Sequence, residues 1–188
     1  MSKTLIIPDL HFGKGTINLG KPGVGSRLNS RLIDQISLLD WVYEQLIEYG
    51  TETLIFTGDI FEDSNPDYIV VMILFKFIKK CEDSNIEIHF IMGNHDMKRT
   101  GAHHTSILDL IEIQESENVH VHKQMTTIIQ DGVGFTLLPF RDRKSFITDS
   151  NADAISILRD TLIYELASIP ITYKKILVYI YLINKHMA

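Results

Sequence analysis

Three short apolar segments, each followed at once by a small polar cluster, constrain the fold of this chain more than any other feature. Each segment has the length and composition of a buried strand, and a helical pattern separates one segment from the next. Alternation of strand and helix predicts a parallel α/β sheet. The polar clusters should then meet at one edge, outside the carboxyl ends of the strands. The segments are 3–8, 53–56 and 86–92, and the clusters are Asp9-Leu10-His11, Gly58-Asp59 and Gly93-Asn94-His95-Asp96.

The remaining elements follow from periodicity and from turn residues. Apolar residues at three- and four-residue steps predict a helix from Ser30 to about Gly50, and Asp131-Gly132 predicts a turn. We expect further helices over 64–80, 106–113 and 155–166, with Pro66 in the first turn of the helix over 64–80, and further strands over 119–121, 126–129, 135–138 and 175–183.

Composition sets the class of protein. The 188 residues suffice for one domain, which we expect to span 1–188. The alternation of strand and helix places this domain in the α/β class. The net charge of −6 argues against a general basic surface for nucleic acid, although it allows a local basic groove. A single cysteine, no signal peptide and no apolar run long enough for a bilayer predict a cytoplasmic protein that contacts no membrane.

The side chains at the strand ends are suitable metal ligands. Side chains alternate along an extended backbone, so Asp9 and His11 can face one way, and a carboxylate with an imidazole suits Mn, Fe or Zn. Asp59 has two oxygens with which to bridge two ions, and Asn94 offers a neutral amide oxygen. A pair of divalent ions suits cleavage of phosphate esters by an activated water.

The remaining two residues of the third cluster suit proton transfer. His95 follows a predicted ligand, where it can hydrogen-bond a phosphate and donate a proton to the leaving oxygen. Asp96 is the candidate to orient the His95 ring. Each cluster alone is weak evidence, and the combination in this order carries the prediction.

The order D-x-H, then G-D, then G-N-H-D resembles the calcineurin-like metallophosphoesterase family. Within it, the chain is similar to SbcD-type DNA repair exonucleases and their phage relatives. The resemblance implies a β-sandwich flanked by helices and a DNA nuclease that uses two Mn ions, with Fe, Zn or Mg as alternatives. It implies DNA, an SbcC-like ABC-type ATPase subunit and a second copy of the chain as partners. The family pattern makes Asp9, His11, Asp59 and Asn94 metal ligands and His95 the catalytic acid.

The late part of the sequence departs from this family pattern. The family supplies further histidines from late strands, including a G-H-x-H pair, and this sequence contains no such pair. His186 is the only histidine after His122. We therefore expect a domain truncated before the late histidine motifs. Two alternatives stay open: a phosphoesterase for small molecules, and a catalytically impaired domain that acts as a binding module.

Several other polar residues have both a functional and an ordinary interpretation. Lys14, Arg99 and His104 are candidates to contact DNA phosphates, or they are solvated loop residues. His120 and His122 lie two apart in a strand and face one side, which fits a metal site or a half-exposed strand. We expect His89 to be a satisfied histidine inside an apolar strand.

Overall fold

A four-stranded parallel sheet forms the centre of the protein. The computed structural model describes residues 2–13, 28–100, 103–140 and 154–179. In the main sheet the strands lie in the order β1, β2, β3, β6, and all neighbours are parallel. The bounds are β1 Thr4–Ile7, β2 Thr53–Phe56, β3 Glu87–Ile91 and β6 Val119–His122. The predicted α/β sheet and its first three strands are thus confirmed.

A smaller sheet packs against one face of the main sheet. It has the order β7, β8, β9, with bounds Thr126–Gln130, Val133–Leu138 and Lys174–Tyr179. The predicted turn joins β7 to β8, and both Asp131 and Gly132 have positive φ, which suits a two-residue hairpin. Ile55 and Ile91 of the main sheet form an apolar cluster with Phe135, Leu137 and Val178 of the smaller one.

Helices cover the opposite face of the main sheet. The helix α1 spans Ser30–Glu48, as predicted, and α2 spans Tyr68–Glu82. Strand side chains alternate between faces, so β2 directs Leu54 and Phe56 into the core formed with these helices, whereas Ile55 points to the smaller sheet. The structure is a sandwich of two sheets flanked by helices, which confirms the predicted fold class.

The start of α2 differs from the prediction, which placed Pro66 in its first turn. A local turn precedes the helix, because the Asn65 amide donates a hydrogen bond to the Asp63 carboxylate at 2.8 Å. The first helical amides then bond to the Asp67 carbonyl oxygen. Similarly, α3 is limited to Asp109–Ile113, because Ser106 caps a turn rather than opening the helix.

Two short strands were not predicted. They are β4, Lys98–Thr100, and β5, His103–Thr105, which pair antiparallel just beyond the third polar cluster. The last helix, α4, spans Ala154–Ser168. His186 and the end of the predicted last strand lie outside the described residues. Among the helices in the described ranges, none combines the length and apolar character that a membrane crossing requires.

Candidate metal centre

The ends of β1, β2 and β3 bring the three polar clusters to one edge of the main sheet. Ile7 is in register with Phe56, and Phe56 with Phe90, so the following loops are neighbours. Backbone hydrogen bonds join the first two loops directly: the His11 amide donates to the Asp59 carbonyl at 2.9 Å. The predicted meeting of the clusters at this edge is therefore what the strand order produces. Asp9 lies two residues beyond β1 and is exposed.

Two residues in these loops have positive φ, which residues other than glycine rarely adopt. His11 and Asp59 both have φ of 45°. The left-handed region costs an L-residue roughly 1–2 kcal/mol, and such conformations concentrate at functional sites. Gly58, directly before Asp59, has φ of 121°, a conformation that glycine adopts more readily than any other residue. The surrounding hydrogen bonds hold His11 and Asp59 in this arrangement.

The Asp59 carboxylate is buried and joins the second loop to the third. Its Oδ1 accepts a hydrogen bond from the His95 amide at 3.0 Å. The contact requires a glycine at position 93, because a Cβ there would lie 2.1 Å from the Asp59 amide nitrogen and 2.2 Å from Oδ1. The glycine before Asn94 is thus explained by the close approach of the Asp59 backbone.

The His95 ring is held by Glu62 rather than by Asp96. Its Nδ1 lies 2.7 Å from the Glu62 carbonyl oxygen, and since a carbonyl only accepts, Nδ1 carries the proton and Nε2 is the nitrogen left to act on a ligand. The His11 ring meets the His95 ring edge to face, with centroids 5.1 Å apart, and His11 Nδ1 lies 3.0 Å from Glu62 Oε2. Glu62 therefore contacts both histidines, a role that the sequence analysis missed.

Asp96 has different partners from the predicted one. Its buried carboxylate accepts hydrogen bonds from the Phe61 amide at 3.1 Å and the Gly93 amide at 2.9 Å, so it fixes the second and third loops to each other. Burial raises the pKa of Asp96 to about 6, against the effect of these backbone hydrogen bonds. The residue acts on the backbone of the site and not on the His95 ring.

The Asn94 side chain supplies an unsatisfied oxygen. Its Oδ1 is buried and accepts no hydrogen bond from any residue that the structure describes. Buried oxygens are normally paired, so such an atom suits a ligand that is added to the protein, above all a cation. Asn94 and His95 line an open cleft of about 330 Å³, together with Glu62, Asp63, Ser64 and Met97. The donor set of carboxylate, amide oxygen and imidazole fits a divalent ion such as Mn²⁺.

Of the three predicted substrate contacts, the structure describes the backbone of two. Lys14 lies outside the described residues. Arg99 and His104 are paired across the β4–β5 hairpin by backbone register. The hairpin begins at Lys98, two residues after Asp96.

Comparison with known proteins identifies the family of the chain. The family described as calcineurin-like phosphoesterase matches residues 2–164. The chain is 30% identical over 128 residues to the DNA double-strand break repair protein Mre11 of Saccharolobus solfataricus, covering 65% of this chain and 31% of that protein. It is 22% identical over 113 residues to the SbcD component of the nuclease SbcCD of Escherichia coli, covering 60% of this chain and 25% of that one.

The chain thus spans about a third or less of the length of these relatives. A solved structure, the nuclease MPE of Pseudomonas putida, matches with a TM-score of 0.42 and 18% identity, over 70% of this chain and 52% of that one. The family match covers most of the sequence and includes all three polar clusters. This chain belongs to the calcineurin-like phosphoesterase family.

Proposed function

We propose that this chain is a metal-dependent phosphodiesterase that cleaves DNA, with water as the nucleophile. The observation that carries the proposal is the meeting of Asp59, Asn94 and His95 at the strand ends, where the Asp59 carboxylate holds the His95 amide at 3.0 Å. Carboxylate, amide oxygen and imidazole in one polar cleft suit metal-assisted hydrolysis. Family membership supports the same reaction class.

Asp9, His11, Asp59 and Asn94 are the proposed ligands of two divalent ions, with Mn²⁺ the first choice. The buried, unsatisfied Asn94 Oδ1 supports this assignment. When bound, the ions would activate water and neutralise charge on the phosphate. Glu62 is proposed to act on His11 through its charge, because Glu62 Oε2 lies 3.0 Å from His11 Nδ1 without the geometry of a hydrogen bond between these two atoms.

His95 is the proposed catalytic acid. The Glu62 carbonyl holds Nδ1 with its proton, so Nε2 points its donor or acceptor function at the substrate. In the protonated ring, Nε2–H hydrogen-bonds a phosphate oxygen and passes its proton to the departing oxygen. The edge-to-face contact with His11 limits rotation of the His95 ring. Asp96 is a positioning residue, because its contacts fix the loop backbone.

DNA is the proposed substrate because of the relatives. One is named as a DNA double-strand break repair protein and another as part of a nuclease. Lys14, Arg99 and His104 are proposed to contact DNA phosphates, since such contacts supply a large share of the affinity for nucleic acid. An SbcC-like ABC-type ATPase and a second copy of the chain are the proposed protein partners.

Cleavage of DNA with and without Mn²⁺ tests the proposal. We expect Mn²⁺-dependent cleavage, with Asp59→Asn losing both metal and turnover. His95→Ala should keep the metal and lose turnover by about 10²–10⁴-fold. Asp34→Asn, an exposed change of the same chemistry on α1, is the matched control. Cleavage of bis-p-nitrophenyl phosphate but not DNA would favour a small-molecule phosphoesterase, and inactivity on both would favour a binding module.

A further inference from the structure

A second group of ligand-type side chains lies apart from the strand ends. Glu87, His89 and His120 bring one ligand atom each within 4.8 Å of one another. The group sits in the first half of β3 and β6, where His89 is in register with His120. It lies on the face that carries Ile91, which is turned toward the smaller sheet. It is therefore separated along β3 from the Gly93–Asp96 loop.

The contacts within this group converge on one carboxylate oxygen. Glu87 Oε1 lies 3.0 Å from His120 Nε2 and 3.3 Å from His89 Nε2. His89 is almost fully buried, whereas Glu87 and His120 are partly exposed, so an ion can reach the group from solvent. A tetrahedral Zn²⁺ ion with bonds of about 2.0–2.1 Å holds its ligand atoms about 3.3 Å apart. The two measured separations are close to that spacing.

The fourth residue of the group is His122, on the far side of His89. His122 Nε2 lies 2.9 Å from His89 Nδ1, and the His89 ring stacks on both His120 and His122 with centroids about 5 Å apart. If the His89 proton is on Nδ1 and is donated to His122, the His89 Nε2 lone pair points toward Glu87 Oε1. Two lone pairs at this distance repel each other unless a cation lies between them.

We propose that Glu87 Oε1, His89 Nε2 and His120 Nε2 form a zinc site, and that His122 positions the His89 ring. Two imidazoles and one carboxylate are a known protein ligand set for Zn²⁺, with a water in the fourth position. Both Nε2 atoms are available to the ion when each ring carries its proton on Nδ1, so binding removes no net proton from the neutral rings.

The donor set separates this site from the strand-end site. Imidazole nitrogen favours Zn²⁺ over Mn²⁺ in the general affinity order, whereas carboxylate and amide oxygens suit Mn²⁺. Burial lowers the pKa of His89 to about 3 and that of His122 to about 4, so these rings are neutral at pH 7. The proposed site would bridge β3 to β6, directly before the Met92 amide that donates to the His122 carbonyl at 3.1 Å.

Zinc binding to the Asp59→Asn variant tests this inference. In this variant the strand-end site should bind no metal, so zinc at that site does not add to the count. Titration of the purified chain with zinc chloride should give one tight site, and zinc X-ray absorption should show two imidazoles per ion. Glu87→Gln and His120→Ala should each weaken binding at least about tenfold, since each removes a ligand. Zinc at 100 times Kd should raise the melting temperature by about 5–10 °C.

Glu117→Gln is the matched control, because it makes the same change at an exposed residue just before β6. His122→Phe keeps a ring of similar shape and should weaken binding about 10–100-fold with the imidazole count unchanged. Should His120→Ala fail to fold, Glu87→Gln still decides the matter. Equal zinc affinity in Glu87→Gln and Glu117→Gln, or fewer than two imidazoles per zinc, would overturn the inference.

Discussion

Replacing Gly93 with alanine tests the geometry on which the strand-end site depends. The added Cβ would meet the Asp59 amide nitrogen at 2.1 Å and the Asp59 Cα at 2.9 Å, both of which are backbone atoms that cannot rotate away. Ordinary contact begins at 3.4 Å, so the second and third loops would have to separate by about 1 Å. That movement would also stretch the hydrogen bond from the His95 amide to Asp59.

Both effects can be given a magnitude. Insertion of a methyl group into a packed region costs about 1–3 kcal/mol, and loss of a hydrogen bond to a charged group about 1.5–3 kcal/mol. We therefore expect Gly93→Ala to lower the free energy of unfolding by about 3–5 kcal/mol. A displacement of about 1 Å between catalytic groups lowers turnover by about 10²-fold. Urea unfolding and Mn²⁺-dependent DNA cleavage measure the two quantities.

Gly50→Ala is the control for this prediction. Gly50 has φ of 58° and no atom within 4 Å of an added Cβ, so its replacement should cost about 1–2 kcal/mol through backbone strain alone and leave cleavage unchanged. If Gly93→Ala were no less stable than Gly50→Ala and cleaved DNA at the wild-type rate, the close approach of the two loops would be refuted.

Two further predictions concern charge. The lowered pKa values of His89 and His122 mean that the unfolded chain binds more protons than the folded one below pH 6.5, whereas the raised pKa of Asp96 acts in the opposite direction between pH 3.8 and 6. Together these groups leave a net uptake of about one proton on unfolding, so the free energy of unfolding should fall by about 1.4 kcal/mol per pH unit as the pH is lowered from 6 to 4. Thermal melting measures this fall, and its absence would show that the two histidines are solvated. Glu62→Gln should weaken Mn²⁺ binding about tenfold with the fold intact, because the substitution removes the negative charge beside His11 Nδ1. Calorimetry measures the Mn²⁺ affinity, and an unchanged affinity would show that Glu62 is not part of the site.

Local signals in the sequence predicted the main elements. Apolar periodicity predicted α1, which begins at Ser30 where the Asn29 side chain accepts a hydrogen bond from the Arg31 amide. The predicted start of α2 was wrong, because a proline such as Pro66 fits the first turn of a helix and also the turn that precedes a helix. The β4–β5 hairpin was missed because its strands lack an apolar alternation.

The site was predictable only as far as strand ends could be identified. The meeting of Asp59 with the third loop followed from parallel strand order. The contacts of Glu62 depend on where a loop folds back, which no local pattern encodes. Likewise, His89 and His120 meet because β3 and β6 pair in one register, and the intervening 30 or so residues carry no signal for that register.

The parallel order of the main sheet determines when the cleft lined by Asn94 and His95 forms during folding. Each pair of neighbouring strands is linked through a helical crossover, and the hydrogen bond between Asp59 and His95 joins residues 36 apart in sequence. Contacts of this range form slowly, because the connecting chain loses its freedom before the contact stabilises it. Refolding followed by metal uptake should therefore show Mn²⁺ capture only with the last cooperative phase, and not with the earlier gain of helix.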